Sequence, residues 1–195
     1  NVPSVWQSIA ADCEINFCLA VRDPQGQATT GITRTSTTVN TFSTNDAVKY
    51  TAQGGINAWP RDSYLNIWVC DLGSSLLGYA QFPGGPAATD GVVLNYRYTG
   101  TTGSSAPFNK GRTATHEVGH WLNLYHIWGD DGSACSGSDQ VSDTPNQAGA
   151  SGGCFTVGQV RTDNCTSSSP GIMWLYYMVF SDDACMYMFT NGQKE

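Results

Sequence analysis

Three histidines within eleven residues constrain this chain more than any other feature of its sequence. They are His116, His120 and His126, and the 195 residues contain no other histidine. On a helix, residues four apart lie on one face, so His116 and His120 can direct their imidazoles at a single ion. Zinc binds imidazole nitrogens at about 2.0–2.1 Å. The spacing therefore predicts a helix over residues 112–123 that carries two zinc ligands.

His126 can be the third ligand only if this helix ends soon after His120. Six residues further along a continuous helix, its side chain would point away from the ion, so the chain must turn back near Asn123. Glycine is the usual residue where φ is positive, and asparagine is the next best. Glu117 follows the first ligand, where its carboxylate can take a proton from a water on the open side of the metal. The pattern predicts a zinc site with Glu117 as general base.

The overall charge argues against two classes of partner. The formal net charge is −7, so we expect neither nucleic acid nor an anionic membrane as a partner. The longest apolar run, residues 172–180, is much shorter than the roughly 20 residues of a spanning helix. From Ile127 onward there are eight acids against two bases. Either this segment is a solvated, disulfide-tied loop region or hard cations help to hold it.

Seven cysteines indicate the compartment. They are widely spaced and form no CxxC pair, which favours disulfides in a secreted, processed protein over reduced thiols in the cytosol. Their positions are Cys13, Cys18, Cys70, Cys135, Cys154, Cys165 and Cys185.

Apolar and capping patterns predict a mixed sheet with helices packed on it, an α+β fold in a single domain. The predicted strands cover residues 15–21, 64–70, 76–82 and 92–98, and the predicted helices cover residues 5–11, 45–53 and 112–123. Residues 129–171 have little periodicity and are expected to be loops.

Around the histidines the chain resembles the metzincin metallopeptidases, whose pattern is HExxHxxGxxH, and in particular the ulilysin-like members of the pappalysin family. The resemblance covers nearly the whole chain. It is carried by residues 17–20, 65–70, 77–84, 115–122, 141–145 and 181–186.

The resemblance implies a single catalytic domain, residues 1–195, in two parts. The upper part, residues 1–126, would hold a twisted mixed sheet, a backing helix and the active-site helix. The lower part, residues 127–195, would be rich in loops and tied by disulfides. Zinc would lie on the floor of the cleft between them. An edge strand containing Gly78, Tyr79 and Ala80 would bind substrate antiparallel, although the same strand can be an ordinary sheet edge.

The resemblance also implies structural residues in the lower part. Met178 would form the Met-turn beneath the metal, the alternative being an ordinary core methionine. Asp139, Asp143 and Thr144 would bind calcium, the alternative being an acidic surface loop. The implied disulfides are Cys135–Cys165 and Cys154–Cys185. Cys18 and Cys70 lie on two predicted strands and can pair if those strands are neighbours, which leaves Cys13 without a partner.

The chain departs from the family pattern at the turn and near the Met-turn. Asn123 replaces the usual glycine. The family reads Asn-Tyr-Met-Asp-Tyr at the Met-turn, whereas Val179 and Phe180 follow the methionine here. The family's second tyrosine is thought to bond the tetrahedral intermediate. Since Phe180 lacks that hydroxyl, catalysis could fall, because losing one oxyanion donor costs about 10²–10³ in rate.

These features predict a secreted zinc endopeptidase that cleaves extended polypeptides, is made with an N-terminal pro-segment and acts as a monomer. One alternative is a weakened or inactive zinc- and calcium-bound binding module, which Val179 and Phe180 favour and Glu117 opposes. A structural zinc protein is a further alternative, but such sites usually have a fourth cysteine or histidine ligand.

Overall fold

A three-stranded sheet forms the framework of the upper part. The structure is a computed structural model that describes residues 2–195. Strand β2 (Ile67–Cys70) runs parallel to β4 (Val92–Asn95), while β3 (Gly78–Ala80) runs antiparallel to β4 on its other side. All four residues of β4 are buried. A continuous apolar run is typical of a strand covered on both faces, and β4 is the central strand.

Helix α1 (Arg112–Trp121) packs on β3 and β4. The approach is close at Gly78, where a β-carbon would lie 2.9 Å from Cγ of Glu117. A larger residue would therefore push the helix away from β3. Glycine at this position sets the distance between the active-site helix and the edge of the sheet.

The predicted strand over residues 15–21 is wrong. Those residues have no regular structure, and pairing is limited to a bridge between Arg22 and Ala28. Ile15, Phe17 and Leu19 are consequently exposed. Apolar alternation alone does not make a strand, because the backbone also needs a neighbour in register.

The predicted helix over residues 45–53 is also replaced, by two 3₁₀ helices, Ala47–Lys49 and Thr51–Gln53. Tyr50 between them is extended, with φ −131° and ψ 123°, so a continuous helix cannot form. Among the residues described, α1 is thus the α-helix that packs on the sheet, and the implied backing helix is not present. No helix in residues 2–195 is long and apolar enough to cross a bilayer.

The other elements of the upper part are shorter than predicted. Strand β4 ends at Asn95, where its side chain accepts from the Arg97 N–H and begins a 3₁₀ helix, Tyr96–Tyr98. The helix predicted over residues 5–11 is reduced to a 3₁₀ helix, Ser4–Trp6, and the remaining 3₁₀ helix of the upper part is Ala87–Thr89.

The lower part has little regular structure around a dense core. Strand β5 (Gly152–Gly153) pairs parallel with β6 (Phe180–Ser181). Strand β7 (Phe189–Thr190) pairs antiparallel with β1 (Ala10–Ala11) near the N-terminus, and a 3₁₀ helix (Asp183–Cys185) and helix α2 (Asn191–Lys194) complete it. The buried core residues are Trp6, Ile127, Trp128, Met173, Trp174, Leu175, Tyr176, Met178, Val179, Cys185, Met186 and Met188.

Two disulfides tie these loops together. They join Cys135 to Cys165 and Cys154 to Cys185, as the family resemblance implies. In the described structure Cys13, Cys18 and Cys70 are free thiols. The possible Cys18–Cys70 bond does not form, because residues 15–21 are not a strand beside β2. Burial raises the pKa of the Cys70 thiol to about 11.

Candidate metal centre and active-site cleft

Helix α1 brings two histidines and the glutamate to one place. His116, Glu117 and His120 are all at least nine-tenths buried. The helix ends at Trp121, and the Leu124 N–H donates to the Gly119 carbonyl. Asn123 takes φ +78°, the left-handed conformation that the sequence predicts for the turn. This reversal returns His126 to the face that carries the other two histidines.

The three imidazoles converge through their Nε2 atoms. His116 Nε2 lies 3.2 Å from His126 Nε2 and 3.1 Å from His120 Nε2, and His120 and His126 are 3.1 Å apart through the same atoms. No other group of three or more His, Cys, Asp or Glu residues in the described part of the chain comes together in this way.

The opposite nitrogen of each ring faces an acceptor. His116 Nδ1 lies 2.7 Å from the Tyr177 carbonyl oxygen, and His120 Nδ1 lies 2.7 Å from that of Leu124. His126 Nδ1 lies 2.8 Å from the Asp130 carboxylate. Because these partners can only accept, each neutral ring carries its proton on Nδ1 and its lone pair on Nε2.

The electrostatics keep the helix histidines neutral. Burial, with the neighbouring imidazoles contributing, lowers the pKa of His116 to about 3. Burial likewise lowers the pKa of His120 to about 4. Three Nε2 lone pairs that face one another cannot satisfy one another by hydrogen bonding. Nitrogens spaced in this way fit one zinc ion at about 2.0–2.1 Å from each, with a side left open.

Asp130 is a site residue that the sequence pattern does not reveal. Its carboxylate anchors His126, four residues earlier. Second contacts of this kind orient a ligand ring and increase its basicity. The available signal is an acid shortly after the third histidine, and in the sequence it is indistinguishable from the rest of the acidic segment.

Glu117 lies on the wall of the cleft beside the histidines. Its side chain packs against Gly78 of β3. Burial raises the pKa of this carboxyl to about 8. A divalent cation nearby would favour the charged form and oppose that shift. The protonation of Glu117 therefore depends on whether a cation is bound beside it.

Met178 and its neighbours form the floor behind the metal centre. Met178 is fully buried, and a β-carbon at Gly119 would lie 2.5 Å from its sulfur. Glycine within α1 thus lets the helix rest directly on the methionine. Trp128 stacks on His126 with ring centroids 4.3 Å apart, and Phe180 packs edge-on to His126 at 5.0 Å.

A cleft of about 540 Å³ opens in front of these residues. Its upper rim is β3, and Phe180 and Asp183 line the opposite side. The Leu77 carbonyl accepts from the Asn95 N–H, and the Gln81 N–H donates to the Gly91 carbonyl, so these two residues of the β3 segment bond toward β4. Since backbone groups alternate along a strand, Gly78 and Ala80 direct their N–H and C=O groups away from β4. The rim therefore has an edge that can bond an extended chain.

The predicted calcium residues are arranged differently. Both carboxylate oxygens of Asp139 lie 2.8 Å from the Thr144 hydroxyl. Asp143 accepts from the Thr190 hydroxyl at 2.6 Å and from the Gly192 N–H at 2.9 Å. The structure brings Thr144 to Asp139, while Asp143 is turned toward the C-terminal segment.

This fold and histidine site define the class as a metalloprotease of the metzincin type. The family model that describes pregnancy-associated plasma protein-A, Peptidase_M43, matches residues 49–195. The chain belongs to this family, the pappalysins.

Solved structures of mirolysin agree closely with this fold. Mature mirolysin of Tannerella forsythia, in complex with a cleaved peptide, is 54% identical with a TM-score of 0.95 over 99% of this chain and 73% of that one. A promirolysin mutant is 53% identical with the same TM-score, and the match covers 99% of this chain and 64% of that one.

Curated fungal relatives are named extracellular metalloproteases. One from Podospora anserina is 37% identical across 100% of this chain and 62% of its own length. One from Verticillium alfalfae is 43% identical over 66% of this chain and 46% of its own length. The chain thus spans roughly half of the curated relatives that it matches.

Proposed function

We propose that the chain is a secreted zinc endopeptidase in which His116, His120 and His126 hold the metal. The observation that carries this proposal is the convergence of three Nε2 lone pairs whose Nδ1 protons are fixed by acceptors. We also propose that residues 1–195 form one catalytic domain, with an upper part to about residue 126 and a lower part beyond it.

Glu117 acts as the general base. When bound, zinc lowers the pKa of a water molecule and polarises the scissile carbonyl. Glu117 takes a proton from the attacking water and passes it to the leaving amine. In support of this role, its side chain is buried against Gly78 of the edge strand and lines the same cleft as the histidines. Such positioning suits a residue that must reach both the water and the scissile bond.

Substrates are extended polypeptides that lie antiparallel to β3. The outward N–H and C=O groups of Gly78 and Ala80 supply the backbone bonds. Mature mirolysin has been solved in complex with a cleaved peptide, which supports a polypeptide substrate for this cleft. The polypeptide would cross the cleft directly in front of Glu117.

Calcium is proposed for the loop that holds Asp139, Asp143 and Thr144. Burial raises the pKa of Asp139, so its charge is costly without a cation. The Tyr176 hydroxyl is buried without a partner, and burial together with the two acids raises its pKa. A hard cation close to these oxygens would relieve both conditions.

The biological setting follows the relatives. Secretion is supported by the names of the fungal extracellular metalloproteases. A precursor with an N-terminal pro-segment is supported by the existence of promirolysin. We propose that the mature enzyme is monomeric.

The test is cleavage of denatured casein and quenched peptides by zinc-loaded protein. We expect cleavage that a zinc chelator abolishes and that added zinc restores. Glu117→Ala should retain zinc and lose about 10²–10⁴ in rate, the range of general acid–base catalysis. A folded sample that holds one zinc per chain and cleaves nothing would contradict the proposal.

A second candidate is a zinc-bound binding module with little or no catalysis. It is favoured by Phe180, which packs against His116 and His126 but has no hydroxyl for an oxyanion. Cleavage by the parent protein distinguishes the two functions, and Phe180→Tyr measures what the missing hydroxyl costs. For a peptidase, the parent should cleave, and the restored donor should raise kcat by up to about 10²–10³. For a binding module, the parent should bind the peptides and cleave none of them.

A further inference from the structure

Asp183 of the lower part bonds to the start of the active-site helix across the cleft. One carboxylate oxygen, Oδ2, accepts from the Lys110 N–H at 2.7 Å and the Arg112 N–H at 3.1 Å. The Asp183 N–H donates to the Pro107 carbonyl at 3.3 Å. Three bonds therefore connect one residue to a segment more than seventy positions earlier. Asp183 is only 3% exposed, so these bonds are shielded from water.

The helix has no cap of its own at this end. Its N-cap residue is Gly111, which has no side chain to accept from the first N–H groups. A helix N-terminus has unsatisfied donors and a partial positive charge. The Asp183 carboxylate supplies both the acceptor and the opposite charge. It accepts from the first N–H of α1, that of Arg112, whereas a capping residue of the helix itself would accept from the second or third.

The bonds of Asp183 to Lys110, Arg112 and Pro107, here called the Asp183 clamp, join the upper and lower parts next to the histidines. Arg112 lies one turn before His116, and Asp183 lies just after the segment that holds Tyr177 and Phe180. His116 is in turn bonded to the Tyr177 carbonyl. A shift of the start of α1 relative to Asp183 would therefore displace His116 and Glu117 relative to the lower part of the molecule.

We propose that Asp183 is a positioning residue. It caps the start of the active-site helix from across the cleft and so keeps Glu117 in a fixed position relative to the lower part. This inference rests on the proposed peptidase function. Asp183 also lines the cleft, so a different role is possible in which its charge selects a basic residue of the substrate. The two roles predict different kinetics.

The test compares Asp183→Asn and Asp183→Ala with Asp182→Asn as the matched control. Two peptides are used that differ only after the scissile bond, one with arginine and one with leucine. We expect Asp183→Ala to lower kcat about tenfold to a hundredfold on both peptides equally, with little change in KM and one zinc retained. Asp183→Asn should lose less, because its amide oxygen can still accept. The control should match the parent.

Hydrogen exchange supplies a readout that does not depend on activity. The amides of residues 108–116 should exchange faster in Asp183→Asn than in Asp182→Asn, even if Asp183→Ala does not fold. A loss confined to the arginine peptide, or unchanged exchange in Asp183→Asn, would overturn the proposal. If the parent protein cleaves neither peptide, the proposed function fails, while the exchange comparison still tests the clamp.

Discussion

The histidine centre and the acidic loop are both predicted to bind metals, and the structure builds them differently. In the histidine centre the three donor atoms face one another at 3.1–3.2 Å. In the acidic loop Asp139 bonds Thr144, and Asp143 bonds Thr190 and Gly192. The histidine Nε2 atoms have no hydrogen-bond donor on the side where they meet. The carboxylates of the acidic loop already accept hydrogen bonds from other residues of the chain.

This difference shows what distinguishes a built metal site from a cluster of suitable residues. A site is built when the far side of each ligand is held and the near side is left unsatisfied. The histidines meet both conditions because Tyr177, Leu124 and Asp130 fix their Nδ1 atoms. The acidic loop meets these two conditions less completely, so calcium bound there should be held more weakly than zinc at the histidines.

Removal of one ligand should have the largest effect. His126→Ala leaves two Nε2 donors and should abolish stable zinc binding, because a catalytic site needs three protein ligands. Cleavage should fall to the level of the chelated parent, as measured by zinc content and peptide hydrolysis on the same sample. Retention of one tightly bound zinc per chain in His126→Ala would contradict the claim that all three histidines hold the metal.

Removal of the anchor behind that ligand should have a smaller effect. Asp130→Ala should weaken zinc binding about tenfold, the low end of the roughly 10–100-fold typical of such contacts. The low end is expected because the Asp130 side chain is 58% exposed, so water can replace it. Competition with a graded series of chelators measures the change, and Asp182→Asn serves as the control. An unchanged affinity would show that the anchor does not matter.

The acidic loop should give the smallest effect. Calcium at about ten times its dissociation constant should stabilise the fold by about 1.4 kcal/mol. In a chain of this size that raises Tm by roughly 3–5 °C, measured by thermal unfolding with calcium and with magnesium. Asp143→Asn should remove the shift. A calcium shift of equal size in Asp143→Asn would place the ion elsewhere.

The sequence predicts the histidine centre well because local geometry determines most of it. The helical spacing places His116 beside His120, and the turn at Asn123 follows from the need for positive φ. Asp130 escapes prediction because its role depends on the path of the loop after His126. No periodicity in the sequence records that path.

The upper part is harder to predict for a different reason. Residues 15–21 have the apolar alternation of a strand, but strands depend on neighbours distant in sequence. The helix expected over residues 45–53 is interrupted at Tyr50, whose backbone is extended. The preceding residue, Lys49, is buried and donates to the Thr89 carbonyl, forty residues away. Contacts of this range are not visible in a local pattern. The Asp183 clamp, far from its partners in sequence, escapes prediction for the same reason.

X-ray absorption at the zinc edge tests the central claim most directly. The claim is that three Nε2 atoms and no cysteine sulfur hold one ion. We expect a first shell of nitrogen and oxygen at about 2.0–2.1 Å with outer-shell imidazole scattering from three rings. A sulfur shell near about 2.3 Å, or a spectrum unchanged in His126→Ala, would contradict the account.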